Sequence, residues 1–302
     1  MSADSAGAGD QGRVAGVAGP VIGARAGGGV VVAPERGGLR RAPNVTGSVI
    51  AALVGRDLRR FFRQRSRIVG SVAQPLILWA VLGAGLGASF RAAGAAGVSY
   101  LTYFYPGTVV LTVLFTAIFS TISVIEDRHH GFLQAVLVAP VSRTALVLGK
   151  TLGGVTIALM QAAALVALAP LAGFSLGAVS WPMLAGALFF SALGFTALGF
   201  AVAWWIDSTQ GYHAVMSVAL IPLWMLSGAM FPASGAHRAV HWLMVANPMT
   251  YAVSGVRRGL YGADLPAGLI PGGSSGLVEI GVTALFAVAA IAAAAALCRR
   301  RA

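Results

Sequence analysis

The sequence predicts an all-α, polytopic membrane protein with six transmembrane helices, and three observations lead to that prediction. Hydrophobic residues make up 57% of the 302 residues, and the mean hydropathy is +0.81. Charged residues make up only 10%, whereas soluble domains carry about 25%. The charges are also grouped, and they leave uncharged intervals as long as the roughly 20 apolar residues of a membrane-crossing helix.

These intervals place the six spans. Proline and glycine residues divide the longest interval, 151–206, into two crossings. The predicted spans are about 68–90, 100–125, 150–171, 182–206, 211–231 and 277–298. Tyr100, Tyr103 and Tyr105 are expected to form an aromatic belt at the membrane interface. Six spans put both termini on one side of the membrane. With that side cytoplasmic, fifteen basic residues lie in inner segments and four in outer ones, which favours cytoplasmic termini.

Two segments precede the first span. Residues 1–45 are rich in Gly, Ala and Pro and predict a disordered cytoplasmic tail before a membrane domain over 46–302. Residues 48–67 carry apolar side chains on one helical face and arginines on another. This pattern predicts an N-terminal amphipathic helix at the membrane surface, with Arg56, Arg60 and Arg63 at anionic lipid headgroups. The alternative is an ordinary surface helix of a soluble domain.

Two connections between spans carry structure of their own. In 126–150, Gly131 allows a sharp turn, 132–138 is typical of a short amphipathic helix that stops at Pro140, and Ser142 can cap the next helix. Such a helix on the cytoplasmic face can transmit force from a soluble partner, although a simple interfacial loop is the alternative. The outer loop, 232–276, predicts a re-entrant helical hairpin, with a packed extracellular loop as the alternative.

Two motifs on this frame resemble a known family. The first combines Glu126 and Asp127 with the segments Gly131-Phe132-Leu133-Gln134, Ala139-Pro140, Ser142-Arg143 and Leu148-Gly149-Lys150. The second is Asn247-Pro248-Met249-Thr250-Tyr251, followed by Arg257. Over roughly 48–298 the chain resembles the membrane subunits of type-two ABC exporters, the group that includes daunorubicin-resistance, nodulation-factor and polysaccharide export permeases. It departs from them at Gln134 and His129, where the family often has acidic residues.

The resemblance implies the permease subunit of an ATP-driven exporter in a bacterial inner membrane, which moves an amphiphilic drug, lipid or glycan-linked substrate out of the cell. A separate ABC ATPase would hydrolyse the ATP, and a second permease copy, identical or paralogous, would complete the path within the lipid bilayer. The implied coupling helix has a docking face, flanking turn residues and a charged rim: Phe132, Leu133 and Leu137; Gly131 and Pro140; Glu126, Asp127 and Arg143. The candidate substrate path in spans two and five comprises Phe115, Phe119, Trp224 and Met225.

Other function classes receive less support. Gly149-Lys150-Thr151 ends like a phosphate-binding loop, but Thr144 stands where that motif needs glycine, so we expect no nucleotide site and no cofactor in this chain. Without an HExxH motif, and with Cys298 as the single cysteine, we expect no metal site. The arginines beside hydrophobic spans argue against a nucleic-acid partner. The alternatives are a membrane-embedded enzyme, although paired intramembrane Asp residues are absent, and a structural component without a transport role.

Overall fold

The computed structural model describes residues 45–87, 97–133, 142–233, 236–266 and 268–300. Within these ranges the chain is helical and contains no β-strand. The longer helices are α1 Val45–Arg63, α2 Arg65–Leu86, α3 Tyr100–Ser120, α4 Ile122–His129, α5 Arg143–Ala167, α6 Trp181–Trp205, α7 Thr209–Trp224, α8 Arg238–Ala246, α9 Pro248–Tyr261 and α10 Gly276–Arg300.

Six stretches are long and apolar enough to cross a membrane, which confirms the predicted all-α, six-span class. They are Ile68–Leu86, Tyr100–His129, Arg143–Ala167, Trp181–Trp205, Thr209–Ala229 and Gly276–Arg299. The described residues exclude residues 1–44 of the predicted tail, residues 88–96 and residues 134–141. The last segment contains most of the predicted coupling helix 132–138, and it includes Leu137 and Pro140.

The third span begins earlier than the charge pattern predicted. The Ser142 hydroxyl accepts a hydrogen bond from the Ala145 amide at 3.2 Å, as expected of a helix cap, and α5 starts at Arg143. The helix ends at Ala167 and not near residue 171. Lys150 therefore lies two turns inside the helix. The helix therefore extends beyond the predicted span on its N-terminal side, as the Ser142 cap indicated, and a lysine can lie within such a helix when carboxylates neutralise it.

Helix α1 covers the predicted amphipathic segment and packs closely on α5. A Cβ added to Gly149 would lie 2.7 Å from Leu53 Cδ1, and one added to Gly153 would lie 3.2 Å from Asp57 Oδ2. The missing side chains of these two glycines therefore make room for α1. Phe61 is also buried, whereas its neighbour Phe62 is half exposed. This apolar face is the one that the sequence pattern indicated, and it is covered partly by the protein itself.

The predicted tyrosine belt is wrong, because all three tyrosines are buried inside the bundle. The Tyr103 hydroxyl donates to the Gly228 carbonyl at 2.8 Å, and the Tyr105 hydroxyl donates to the Leu165 carbonyl at 2.5 Å. Buried phenols need hydrogen-bond partners, and Tyr103 and Tyr105 find them on neighbouring helices. They join α3 to the end of α7 and to α5.

Helices α8 and α9 form the paired element expected in the outer loop. They meet at Asn247, whose side chain accepts from the Met249 amide at 2.9 Å and donates to the Leu223 carbonyl at 2.6 Å. Pro248 occupies the first turn of α9, where its missing N–H costs nothing. Helix α9 is buried against α6, where Gly259 lies beside Leu184. The depth of this pair in the membrane stays a prediction.

We predict that Gly259→Ala destabilises the fold. A Cβ there would lie 2.7 Å from the Leu184 Cα, a backbone atom that cannot swing away. Overpacking of this kind costs about 1–3 kcal/mol, or several degrees in a chain of this size. Gly281→Ala is the control, because no atom lies within 4 Å of its added Cβ. Thermal unfolding in detergent measures both, and equal midpoints would contradict the close α9–α6 contact.

Candidate functional site

Lys150, the single lysine of the chain, is the centre of a buried ion cluster. Its ammonium lies 2.6 Å from Asp127 Oδ2 and 3.1 Å from Asp57 Oδ1, and it donates to the Ser123 hydroxyl at 3.3 Å. The lysine and both carboxylates are buried. A buried charge is tolerated only when it is paired and hydrogen-bonded. The lysine therefore joins α5 to α1 through Asp57 and to α4 through Asp127.

Two arginines of α1 complete this ion cluster. Arg56 donates to Asp127, and Arg60 donates to Glu126. The six side chains carry three positive and three negative charges, so the cluster is neutral as a whole. The Arg56 guanidinium also lies over the Phe132 ring, 3.8 Å from its centroid. We call these residues, Arg56, Asp57, Arg60, Glu126, Asp127 and Lys150, the ion cluster, and the end of the bundle that holds them the charged end.

Further contacts fasten the charged end to the remaining helices. Arg128 pairs with Asp207 and donates to the Trp204 carbonyl at 2.9 Å, which joins α4 to the turn between α6 and α7. Arg143 donates to the Arg299 carbonyl at 2.9 Å near the C-terminus of α10, the end of a helix that favours a cation. The connection between α4 and α5 is thus anchored to other helices on both of its sides.

A cavity of about 340 Å³ opens beside the ion cluster and extends into the bundle. Its wall is formed by α1 to α5, and on α3 and α4 it runs from Leu111 to Glu126, about 22 Å at 1.5 Å per residue. Phe115 and Phe119 stand on one part of the wall, and Gln161 stands on another. The volume lies within the usual range of small-molecule pockets, about 300–1,000 Å³.

The opposite end of the bundle is held by a fully buried arginine. The Arg257 guanidinium donates to the carbonyls of Leu269 at 2.6 Å, Gly228 at 3.0 Å and Tyr103 at 3.4 Å, and it lies 4.5 Å from the centre of the Tyr103 ring. Gly228 adopts φ +76° in the π-helix Met225–Ala229 that follows α7. One side chain therefore joins α9 to α3, to the distorted end of α7 and to the segment before α10.

Arg258, the next residue along the chain, forms a bidentate ion pair with Glu279. Arg258 contacts Glu279 through Nε at 3.0 Å and through a terminal nitrogen at 3.1 Å, and the Ser274 hydroxyl donates to the same carboxylate at 3.0 Å. Glu279 is fully buried at the start of α10. Two-bond pairing suits the planar guanidinium, and here it joins α9 to the last span.

A family model described as ABC-2 type transporter matches residues 48–261, which is more than half of the chain. The chain belongs to the ABC-2 type transporter family. The match includes the ion cluster, the wall of the cavity and Arg257.

Three relatives of this ABC-2 protein are named putative transport permease ycf38. Those of Porphyra purpurea and Pyropia yezoensis are each 27% identical, over 211 and 214 residues, and each match covers 69% of this chain and 72% of the relative. That of Cyanophora paradoxa is 36% identical over 91 residues, which is 28% of this chain and 31% of the relative. Family and relatives together support a multi-pass membrane transport permease, a transport subunit and not an enzyme.

Three of the predicted coupling residues of this ABC-2 protein, Glu126, Asp127 and Phe132, contact the arginines of α1, in roles that the sequence did not indicate. Asp127 is buried in the ion cluster and does not stand on an exposed rim, whereas Glu126 is partly exposed. Gly131 adopts φ +73°, which suits the expected turn. Leu133 is buried in the core, so Phe132 is the partly exposed apolar residue of the described part of the docking face.

The three arginines predicted at the membrane interface also have different environments. Arg56 and Arg60 pair with carboxylates of α4, whereas the side chain of Arg63 is exposed at the end of α1. Of the three arginines predicted at lipid headgroups, Arg63 is therefore the one that does not belong to the ion cluster.

The four residues of the predicted substrate path do not converge. Phe115 and Phe119 line the cavity. Trp224 is buried elsewhere in the bundle, where its indole nitrogen donates to the Gly107 carbonyl at 2.9 Å. Met225 is exposed on the outside of the bundle.

Sequence reasoning missed Asp57, Gln161 and the structural role of Arg257. Asp57 is the only acidic residue among the arginines of α1, and Gln161 is a polar residue inside a predicted span; both were signals of an internal partner. The carbonyl partners of Arg257 left no signal, because any residue type can supply a carbonyl.

We predict that Lys150→Met lowers the stability of the protein, by at most about 3–5 kcal/mol, because the buried Asp57 carboxylate then keeps, among its described charged partners, only the Arg56 guanidinium at 3.8 Å. The double variant Lys150→Met/Asp57→Asn is expected to regain part of that loss. Asp207→Asn is the control, because it removes an exposed pair worth at most about 1 kcal/mol. Thermal unfolding in detergent compares the three, and a double variant less stable than Lys150→Met would contradict the described pairing.

We predict that Arg257→Met destabilises the opposite end of the bundle more than Arg257→Lys does. Methionine supplies no donor to the three carbonyls: the Leu269 carbonyl loses its described donor, which costs about 1–3 kcal/mol, whereas the Gly228 carbonyl keeps the Tyr103 hydroxyl. Arg59→Met is the control, because Arg59 is exposed and makes one hydrogen bond, to the Gly55 carbonyl. Hydrogen exchange of α9 should rise in Arg257→Met; protection equal to that of Arg59→Met would show that the carbonyl contacts contribute nothing.

Proposed function

We propose that the chain is the permease subunit of an ATP-driven exporter that moves an amphiphilic drug, lipid or glycan-linked substrate out of the cell. A separate ABC ATPase docks at the charged end around residues 131–140 and supplies the energy. A second permease copy, identical or paralogous, completes the path. The family match supports the transport class, and the ion cluster is the observation that carries the coupling mechanism.

The ion cluster supports coupling because it connects the loop that meets the ATPase to three helices. Arg56 contacts the Phe132 ring at the start of that loop and Asp127 just before it, and Asp127 contacts Lys150 on α5. A push on Phe132 therefore acts on α1, α4 and α5 together. Such a packed ionic group has few intermediate arrangements, which suits a switch between two conformations driven by nucleotide binding in the partner.

In this proposal the charged end faces the cytoplasm of a bacterial cell, so both termini are cytoplasmic. The distribution of Arg and Lys along the sequence supports that orientation. The outer end then holds α8 and α9, which we assign to a re-entrant pair. The buried Arg257, with its three carbonyl partners, fits that assignment, because backbone inside a membrane must be satisfied by the protein.

Affinity purification of the tagged protein from its host membranes in a mild detergent tests the proposal. We expect a soluble ATPase to co-purify in stoichiometric amount, and we expect Phe132→Asp to abolish that association, because a carboxylate would replace the exposed apolar surface. Gln210→Asp is the control: it introduces the same charge at an exposed position of the charged end that does not belong to the segment 131–140.

The outcomes separate the family-level function from the docking site. If no ATPase co-purifies with the wild-type protein under conditions that preserve a known ABC complex, the ATP-driven function is wrong. If Phe132→Asp retains the ATPase as well as Gln210→Asp does, the exporter assignment stands, but the docking face does not include Phe132.

A further inference from the structure

The cavity beside the ion cluster has two kinds of wall. Phe115, Phe119 and Leu78 give it an apolar side, and hydroxyl and amide side chains give it a polar side. It lies among α1 to α5 of one chain, so no second copy is needed to form its wall. Gly70 and Gln74 of α2 line it and are exposed, which places an opening beside this peripheral helix.

The polar side presents acceptors beside donors such as the Gln74 amide. The hydroxyls of Thr112 and Ser120 donate to the carbonyls of Thr108 at 3.1 Å and Ala117 at 2.7 Å, within their own helix. Their oxygen lone pairs are then left to accept hydrogen bonds from the cavity. A ligand that satisfies this wall must bring donors, as hydroxyl groups do and as phosphate or carboxylate groups do not.

A second polar group of the wall is fixed in position. The Gln161 amide is buried, donates to the Ser71 hydroxyl at 2.7 Å and accepts from the Thr116 hydroxyl. This chain of three side chains joins α2, α3 and α5 across the cavity wall. These hydrogen bonds hold the Gln161 side chain in one conformation. It can therefore orient a ligand at a smaller entropy cost than a mobile side chain could.

The charged residues at the cavity give no preference for an anion. Arg60 and Glu126 line it but pair with each other, and Asp57 lines it but pairs with Lys150. The ion cluster is neutral as a whole. A headgroup that enters therefore meets paired charges and hydroxyl acceptors, and not a free cation.

We propose that this cavity is a binding site for a single amphiphile with an uncharged, hydroxyl-rich headgroup, which enters sideways beside Gly70 from the membrane leaflet at the charged end. The headgroup donates to Ser120 near the charged end, and the chain of the amphiphile lies along Phe115 and Phe119. The identification of this ligand with the exported substrate rests on the proposed function, whereas the binding of the ligand to the cavity does not.

Photolabelling of the purified protein in nanodiscs tests this site. The discs consist of phosphatidylcholine with a few per cent of a glucosyl-diacylglycerol that carries a diazirine in its acyl chain, and mass spectrometry locates the label. We expect labelled peptides from 70–78, 111–126 and 154–161. An analogue with the same chains and a phosphatidylglycerol headgroup should label these peptides several-fold less.

Gly70→Trp is the blocking variant, because no atom lies within 4 Å of an added Cβ and the indole can fill the opening without an internal clash. Gly85→Trp is the matched control: it lies on the same helix, is exposed, has equally open space and does not line the cavity. We expect labelling of the three peptides to be lost in Gly70→Trp and retained in Gly85→Trp, with equal thermal midpoints.

Ser120→Ala tests the headgroup without filling the cavity. It is expected to weaken competition by unlabelled glucosyl-diacylglycerol roughly two- to tenfold, the value of one hydrogen bond. Labelling that survives Gly70→Trp overturns the site, and equal labelling by the phosphatidylglycerol analogue overturns the assigned headgroup. No ATPase is present in these discs, so a failure here leaves the exporter assignment to be judged by co-purification.

Discussion

The neutralisation of Lys150 is the interaction on which the charged end of this ABC-2 protein depends. A lysine two turns inside a candidate membrane span is costly unless anions surround it, and Asp57 and Asp127 do so from two other helices. Because each carboxylate comes from a different element, the charge can be satisfied only when α1, α4 and α5 are assembled. The ion pair therefore contributes specificity of arrangement as much as stability.

The same constraint positions the features to which we assign function. Arg56 reaches from the ion cluster to Phe132, the first described apolar residue of the proposed ATPase contact. Asp57, Arg60 and Glu126 belong to the ion cluster and also form the wall of the cavity. A movement of the loop after α4 would therefore alter the cavity as well. At the opposite end of the bundle, Arg257 likewise joins several helices, but its described partners are backbone carbonyls and not carboxylates.

The sequence predicted the elements well and their partners poorly. The uncharged intervals located six spans, and Ser142 was correctly identified as a cap. The helix of the third span begins seven residues before the predicted span, because a lysine paired with carboxylates can lie inside a helix. The tyrosines were placed at the interface because their amphipathic rings are common there, whereas Tyr103 and Tyr105 satisfy their hydroxyls on internal carbonyls. The Gly149-x-x-x-Gly153 spacing carries little information in a chain with 40 glycines, yet it is where α1 packs.

The sequence by itself determined the class of this protein: hydropathy and charge spacing require helices that cross a membrane, and the two motifs indicated the permease family. Only the tertiary structure decided which charges are exposed and which are paired. Asp57, Asp127 and Lys150 are separated by up to 93 residues and meet within a few ångströms. Periodicity and composition report on one helix at a time, whereas ion pairs, cavities and carbonyl contacts arise between helices. The packing of α1 to α5 is therefore what makes the ion cluster and the cavity into one site.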